Sequence, residues 1–300
     1  MKQLFIQLNV AIGLLLAFSF HCMGADKYTL EFNLEKGKTY KQHSVWEMTM
    51  TMNAMGQDFK VNMLSETKIR YDVINKNNDV YDIQMSYQKF KVNMGAPTPI
   101  AIDTDSPDNS SDKSISDAIQ PLMGIPIDIQ LTKDGKVISV KGTENLAEKI
   151  NAISNEQYRQ MLGPQFSEKT VQTLLEQLSP YFPDKAVAIN DSWDVVRDIY
   201  VNGIDIINKM KITLQQVKNN VATLRVTGTL TTPEGGAVMD VQGMEATVSM
   251  NGEHVGTVQI DMKTGWILRS EITQKSKQNI EIMGQTMQQY MDVKSNITAE

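Results

Sequence analysis

Two of the three histidines, His43 and His254, lie beyond the N-terminal apolar run and could act as a general base near neutral pH. A catalytic triad places a nucleophile beside such a base. His43 follows the polar pair Lys41-Gln42, and His254 follows Asn251-Gly252, a dipeptide typical of hairpin turns. We therefore expect both histidines on the surface. The chain also has no Gly-x-Ser-x-Gly elbow, phosphate-binding glycine loop or dinucleotide fingerprint, so we predict no catalytic residues, no enzyme activity and no cofactor.

Two other groups of residues have the chemistry of metal ligands. Carboxylates recur between Asp103 and Lys113, but this stretch lacks the glycine and the terminal glutamate of an EF-hand loop, which favours a solvated loop over a calcium site. Thioethers recur in Met48-x-Met50-x-Met52 and in Met283-x3-Met287-x3-Met291, and thioethers suit Cu(I). A β-strand already explains the spacing of the first group, so we predict no metal site.

The first methionine group belongs to the clearest structural pattern in the chain. Apolar residues alternate with polar ones on both sides of Met55-Gly56, namely Trp46, Met48, Met50 and Met52 before it and Phe59, Val61 and Met63 after it. A period of two is typical of a strand with one buried face. A two-residue turn at Met55-Gly56 would pair Met52 with Phe59 and place all these apolar side chains on one face. We predict a long antiparallel hairpin beside which the other strands are added.

The middle of the chain changes its apolar period to three and four. Val171, Leu174, Leu175 and Leu178 form the best helical stripe, and strand patterns, including one over residues 28–34, precede and follow it. The sequence therefore predicts a mainly β protein, with a curved antiparallel sheet or half-barrel and a helical insert packed on its concave face. We place an N-terminal β half at residues 25–141, a helical segment at 142–184 and a C-terminal β half at 185–300. One curved sheet and two β lobes are both compatible with this pattern.

Methionine is overused, with 19 residues against 8 phenylalanines and 3 tryptophans. Its side chain is flexible and fills irregular apolar space, which fits a methionine-rich core and also fits the deformable wall of a cavity. We expect an apolar cavity between the methionine-lined face and a helix over residues 167–178. Its predicted lining is Trp46, Met48, Met50, Met52, Phe59, Val61, Met63, Val171, Leu174, Leu175 and Leu178.

The N-terminus has the pattern of an export signal. Met1-Lys2 is followed by an apolar run over residues 4–20 and by the small residues Gly24 and Ala25. The run is short for a membrane span and polar sequence follows it at once. We predict a signal peptide over residues 1–24 and an exported, periplasmic or secreted protein with no transmembrane segment in its mature chain. Cys22, the only cysteine, leaves lipid anchoring as an alternative, although His21 before it fits a lipoprotein cleavage site poorly.

The net charge of the chain argues against one class of partner, the nucleic acids. The chain carries a net charge of −6, which gives nucleic-acid binding no electrostatic support. A lipid or an envelope protein is the expected partner. The leading hypothesis is a non-catalytic envelope protein that binds a lipid or acyl chain in the methionine-lined cavity. The alternative is a structural or interaction module with a filled core and no small-molecule ligand.

Several turn motifs together give the chain a resemblance to known proteins. They are, in chain order, Tyr40-Lys41-Gln42, Lys133-Asp134-Gly135-Lys136-Val137, Asn190-Asp191-Ser192-Trp193 and Asp261-Met262-Lys263-Thr264-Gly265-Trp266. With the N-terminal run, this series resembles a domain-of-unknown-function family of exported, β-rich Bacteroidota proteins. The motifs carry no chemistry, so the resemblance implies no activity and no site residues. The expected architecture is also similar to periplasmic half-barrel lipid and lipoprotein carriers, although fold does not fix function.

Overall fold

The computed structural model describes residues 26–54, 57–95, 99–110, 113–176, 182–201, 203–241 and 244–300. The predicted signal peptide, Cys22, the Met55-Gly56 turn and Leu178 lie outside these residues. The described strands are β1 (Lys27–Tyr28), β2 (Thr39–Ala54), β3 (Gln57–Asn77), β4 (Val80–Met94), β5 (Ile100–Asp103), β6 (Ile127–Thr132), β7 (Val137–Lys141), β8 (Val187–Ala188), β9 (Ser192–Val201), β10 (Ile204–Lys218), β11 (Val221–Thr231), β12 (Ala237–Val241), β13 (Met244–Asp261), β14 (Ile267–Ile282) and β15 (Gln285–Ala299). The α-helices are α1 (Lys113–Ile119), α2 (Thr143–Asn151), α3 (Glu156–Gln165) and α4 (Glu168–Glu176).

One antiparallel sheet of 13 strands contains almost all of the β structure. Its order is β7-β6-β4-β3-β2-β15-β14-β13-β11-β10-β9, with β5 beside β4 and β12 beside β13. The strands before and after the helices meet where β15 pairs with β2, from Gln288 opposite Asn53 to Ala299 opposite Gln42. The mainly β prediction is confirmed, and the β patterns on either side of the helices form one sheet rather than two lobes. The sheet is not closed into a barrel, since β7 and β9 are its two end strands.

Helix α4 contacts both end strands of this sheet, β7 on one side and β9 on the other. The sheet is therefore curled, so that its two ends come within the width of one helix. The hydroxyl of Thr173 in α4 accepts a hydrogen bond of 3.2 Å from the backbone N–H of Tyr200 in β9. This bond gives a partner to an edge N–H that no neighbouring strand could satisfy. Lys169 in α4 adds an ion pair with Asp205 at the start of β10.

The main hydrophobic core lies on the concave side of the sheet, between the strands and the helices. Residues 29–36 cross it without forming the strand that their alternation predicts, because β1 ends at Tyr28. The backbone of this segment bonds to turns instead of a neighbouring ladder: the N–H of Phe32 donates to the carbonyl of Lys133 at 2.7 Å, and the N–H of Asn33 donates to that of Thr264 at 2.9 Å. The side chains still alternate into the core, where Leu30, Phe32 and Leu34 are buried.

The predicted hairpin is confirmed in its register. Met52 lies opposite Phe59, Met50 opposite Val61 and Met48 opposite Met63, and Ala54 pairs with Gln57 at the end. A second turn interpretation was wrong, because Asn251-Gly252 lies in the middle of β13 rather than between two strands. A Cβ on Gly252 would lie 2.7 Å from the Cβ of Ser276 in β14. This glycine therefore permits a close approach of side chains across the sheet, and its local turn preference is overridden by pairing on both sides.

Candidate functional site

Alternation along β2 and β3 decides which side chains point to the concave side. Tyr71 and Ile69 of β3 belong to the main core, so the residues that share their parity lie on the same face, here called the inner face. Because the β2–β3 register has no shift, that parity continues into the upper part of the hairpin, which is the part nearest its turn between Ala54 and Gln57. The inner face there carries the residues that we call the methionine face: Trp46, Met48, Met50, Met52, Phe59, Val61 and Met63.

The methionine face is only partly covered. Val61 is buried at 4% exposure, Phe59 is 42% exposed, and the other five residues have intermediate exposure. None of the seven belongs to, or packs against, either of the two hydrophobic clusters among the described residues. The sequence correctly placed these residues on one face, but that face is separate from the filled part of the core.

The helical half of the predicted site lies elsewhere. Val171 and Leu175 of α4 are fully buried in the main core, and Leu174 packs against it from a partly buried position. Leu178 lies outside the described residues. The principal sheet contacts of α4 are with β7 and β9, the end strands, whereas the methionine face is on β2 and β3. The structure thus groups the predicted residues into two sets and does not bring the two sets together. That the methionine face lines a ligand-binding site remains a prediction.

A second hydrophobic cluster continues the methionine face sideways across the sheet. It contains Ile204, Ile206, Leu230, Ala237, Val248 and Met250. Met291 of β15 packs against this cluster and lies directly opposite Met50 in the neighbouring strand β2. The inner face near the hairpin turns is therefore apolar and packed on the β9–β13 side and apolar and partly open on the β2–β3 side, with the polar residues Ser276 and Gln278 of β14 between the two.

His254 lies on this inner face, and the expectation that it is a surface residue was wrong. It is 7% exposed, and its Nε2 lies 3.0 Å from Oδ1 of Asn208 in β10. Because the amide oxygen only accepts, the imidazole carries its proton on Nε2. Burial lowers the pKa of His254, which favours the neutral form. Its even parity with Met250 and Val258 in the same strand was the signal that could have placed it inward.

Gly228 makes room for this imidazole. A Cβ at Gly228 would lie 2.4 Å from both His254 Nε2 and the carbonyl oxygen of Lys209. The ring thus occupies the space that a side chain on β11 would fill. A neutral histidine held by an amide is a buried polar pair, in which each partner satisfies the other's hydrogen-bonding group.

His43 lies on the opposite, outer face, with a half-buried side chain. Its Nε2 lies 2.9 Å from Oε1 of Glu66, which also accepts a hydrogen bond of 2.9 Å from Nζ of Lys89. Burial would raise the pKa of Glu66, but the hydrogen bonds and charges of Lys89 and His43 outweigh it and hold the pKa below its ordinary value. The carboxylate is therefore held in its ionised form by two basic side chains, as in a structural ion pair.

The described residues of the carboxylate-rich stretch and the histidines do not converge on a metal site. Oδ2 of Asp103 lies 2.9 Å from Nζ of Lys91, so this carboxylate is already neutralised by a lysine. Across the described ranges, no three histidine, cysteine, aspartate or glutamate residues are grouped so that they could hold a metal ion. In the same ranges, no helix has the length and apolar character needed to cross a membrane.

One groove was not anticipated from the sequence. It has a volume of about 510 Å³ and lies between α1 and the α2–α3 connection, where Ser114 Oγ is 3.1 Å from the hydroxyl of Tyr158. Its lining includes Ala118, Lys149 and Ile153. It is open and shares no residue with the methionine face. A ligand-binding experiment therefore has to distinguish binding in this groove from binding on the methionine face.

Among solved structures, the chain is similar to lipovitellin, from a study of lipid–protein interactions, with a TM-score of 0.50 and 11% identity. The match covers 89% of this chain but spans only 25% of the lipovitellin chain. An outer membrane channel of Pseudomonas putida F1 matches with a TM-score of 0.23 and 7% identity, over 90% of this chain and 97% of the channel. A protein of Bacteroides fragilis, described as exported and with a YmcC-like fold, matches with a TM-score of 0.20 and 9% identity, over 88% and 97% of the two chains. Of these three likenesses, the one to lipovitellin is high enough to indicate a shared fold.

No curated protein matches the chain. The model of a family of unknown function, DUF6263, matches residues 78–267. The matched region begins at the β3–β4 turn and ends at the start of β14, so it contains the helices, the end strands and His254 but not the β2–β3 hairpin. The chain therefore belongs to DUF6263, a family of unknown function.

Proposed function

We propose that the protein is a non-catalytic, exported envelope protein that binds a lipid or acyl chain on the methionine face. The observation that carries the proposal is the partial exposure of this apolar surface on the inner side of a curled sheet, outside both packed clusters. Large contiguous apolar surfaces on a monomer commonly mark binding sites. Export rests on the N-terminal sequence pattern alone.

The chemistry of the face suits a flexible apolar ligand. Met48, Met50, Met52 and Met63 present unbranched, polarizable side chains that can adjust to different chain conformations. Neighbouring inner-face positions on β15 are Val293 and Met291, so the apolar path is wider than two strands. The fold likeness to lipovitellin, a protein studied for its lipid interactions, supports the same class of ligand.

Trp46 provides a native reporter for the test. Dibromostearate, a fatty acid that quenches tryptophan on contact, is titrated into the protein while tryptophan fluorescence is followed. We expect saturable quenching that disappears in Trp46→Phe, because Trp193 and Trp266 pack with the main core rather than with the methionine face. Quenching that persists in Trp46→Phe would place the ligand elsewhere, for example in the groove beside α1.

A substitution on the face separates ligand binding from folding. Met50→Thr keeps a residue that favours strands and removes apolar contact area, so we expect binding weakened about tenfold, on the scale of two buried methylene groups. Val255→Thr is the matched control, since Val255 is 45% exposed on the outer face of β13. The absence of saturable quenching in the wild type would favour the alternative, a structural module without a small-molecule ligand.

A further inference from the structure

The turn between β14 and β15 has an unusual residue at its tip. Met283 has a φ of 51° and is 83% exposed. Among the described residues, the other non-glycine positions with positive φ are all asparagines, namely Asn78, Asn190, Asn219 and Asn220. Asparagine tolerates the left-handed conformation and is the usual choice in such turns, whereas a long apolar side chain gains nothing there. Met283 thus combines an unfavourable backbone conformation with an apolar side chain in water.

Among the described residues, no hydrophobic cluster compensates for this choice. Met283 belongs to neither hydrophobic cluster, and its exposure leaves nearly the whole side chain free of contacts. A local rule that is broken without a gain in the folded state commonly marks a functional position. The exposed tip of this turn is therefore a candidate point of contact for a partner outside the chain.

Further exposed apolar residues lie at the same edge of the sheet. The turns of the β2–β3 and β14–β15 hairpins lie side by side, because Gln288 pairs with Asn53. The N-terminal end of β13 lies next to them, because Ala246 pairs with Ile282. The exposed apolar side chains that the structure describes at this edge include four that we call the apolar rim: Phe59 at 42%, Met244 at 39%, Met283 at 83% and Met287 at 43%.

We infer that the apolar rim inserts into the surface of a zwitterionic phospholipid bilayer. The four side chains are spread over the ends of three hairpins, β2–β3, β12–β13 and β14–β15, which fits a fluid apolar layer better than a protein partner. The neighbouring charges at these ends are mainly acidic, with Asp58, Glu245 and Glu281 exposed. An acidic rim on a chain of net charge −6 is repelled by anionic lipids, so burial of apolar side chains has to provide the attraction. The inference goes beyond the proposed function, since it requires no ligand on the methionine face.

Met283→Asn is the critical variant, because it changes binding and folding in opposite directions. Asparagine removes the apolar tip and suits the backbone, so we expect the partition onto phosphatidylcholine vesicles to fall about tenfold while the melting temperature stays equal or rises. Partition is measured by flotation of the purified protein with vesicles, and wild type and variant carry the same N-terminus. Val255→Thr, which removes an exposed apolar side chain from the outer face, should partition like the wild type.

Three outcomes would overturn the inference. The first is equal partition of Met283→Asn and wild type. The second is binding that appears only when phosphatidylglycerol is added, which would indicate electrostatic attraction. The third is loss of self-association in Met283→Asn, seen by light scattering, with no change in vesicle binding, which would identify a second copy of the chain as the partner. Quenching of tryptophan fluorescence by dibromostearate, measured without vesicles, is expected to be the same in Met283→Asn and wild type. The vesicle experiment can therefore refute bilayer insertion without refuting ligand binding on the methionine face, and the quenching experiment can do the reverse.

Discussion

Thr173→Val tests whether α4 holds the two ends of the sheet together. Thr173 is 7% exposed, and its hydroxyl accepts the hydrogen bond from the backbone N–H of Tyr200 in the end strand β9. Valine has nearly the same shape and lacks the acceptor. The change therefore keeps the packing of α4 and leaves the edge N–H without its partner.

The expected cost follows from the environment of this bond. An unsatisfied backbone donor that is shielded from water costs about 1–3 kcal/mol, and Tyr200 is partly covered by α4, so we expect the free energy of unfolding to fall by about 1–2 kcal/mol. Locally, a loss of about 1.4 kcal/mol corresponds to a tenfold lower protection of the Tyr200 amide from hydrogen exchange. The ion pair of Lys169 with Asp205 is exposed on both sides and cannot replace this contribution.

Urea denaturation and residue-resolved hydrogen exchange measure the two effects. Thr227→Val is the control, because Thr227 lies in β11, which is not an end strand, and its half-buried side chain donates only a 3.4 Å hydrogen bond to the carbonyl of Lys211. The control should leave the Tyr200 amide protected. Unchanged protection of Tyr200 in Thr173→Val would refute the view that α4 secures the β9 edge, even if overall stability fell.

Two further predictions concern the buried pair beneath Gly228. Gly228→Ala should lower the free energy of unfolding by about 1–3 kcal/mol, because its Cβ meets a backbone carbonyl that cannot move aside. Gly95→Ala is the control in the same urea titration and should be nearly neutral, since its Cβ would meet only the carbonyl oxygen of Asn62 at an ordinary contact distance of 3.7 Å. Because burial lowers the pKa of His254, the unfolded chain binds a proton more readily than the folded one, so stability falls as the pH drops below the ordinary value of 6.5. His254→Gln keeps a donor for Asn208 and should shrink the difference in urea midpoint between about pH 7.5 and about pH 5; an unchanged difference would contradict this assignment.

The sequence contained enough to predict the sheet because the relevant signals are local and repeated. The alternation around Met55-Gly56 admits one register, and the structure has that register. The errors came from places where a local signal competes with pairing at long range. Asn251-Gly252 favours a turn by itself, but β11 and β14 pair with β13 on both sides of it and keep the strand continuous. Residues 28–34 alternate as a strand does, yet the strand β1 ends at Tyr28, and the backbone N–H groups of Phe32 and Asn33 bond to turns that no local pattern identifies.

The predicted cavity required a contact that the pattern could not specify. Amphipathicity tells which side of an element is apolar, but not which apolar surface it meets. The lengths of the elements decide that question here. β3 has 21 residues and is about 70 Å long at 3.3 Å per residue, whereas α4 has 9 residues and is about 14 Å long at 1.5 Å per residue. Short helices of this kind can cover only one end of such long strands.

The main core accordingly includes β3 only at Ile69, Tyr71 and Val73, near its C-terminal end. The opposite end carries the methionine face, which the strand pattern still makes apolar because the alternation continues up to Phe59. A strand end that needed only to be solvated would carry polar residues on both faces, as exposed strand ends commonly do. The persistence of methionine beyond the reach of the helices therefore argues that the upper inner face is adapted to an apolar partner outside the chain, and the quenching of Trp46 is the measurement that decides it.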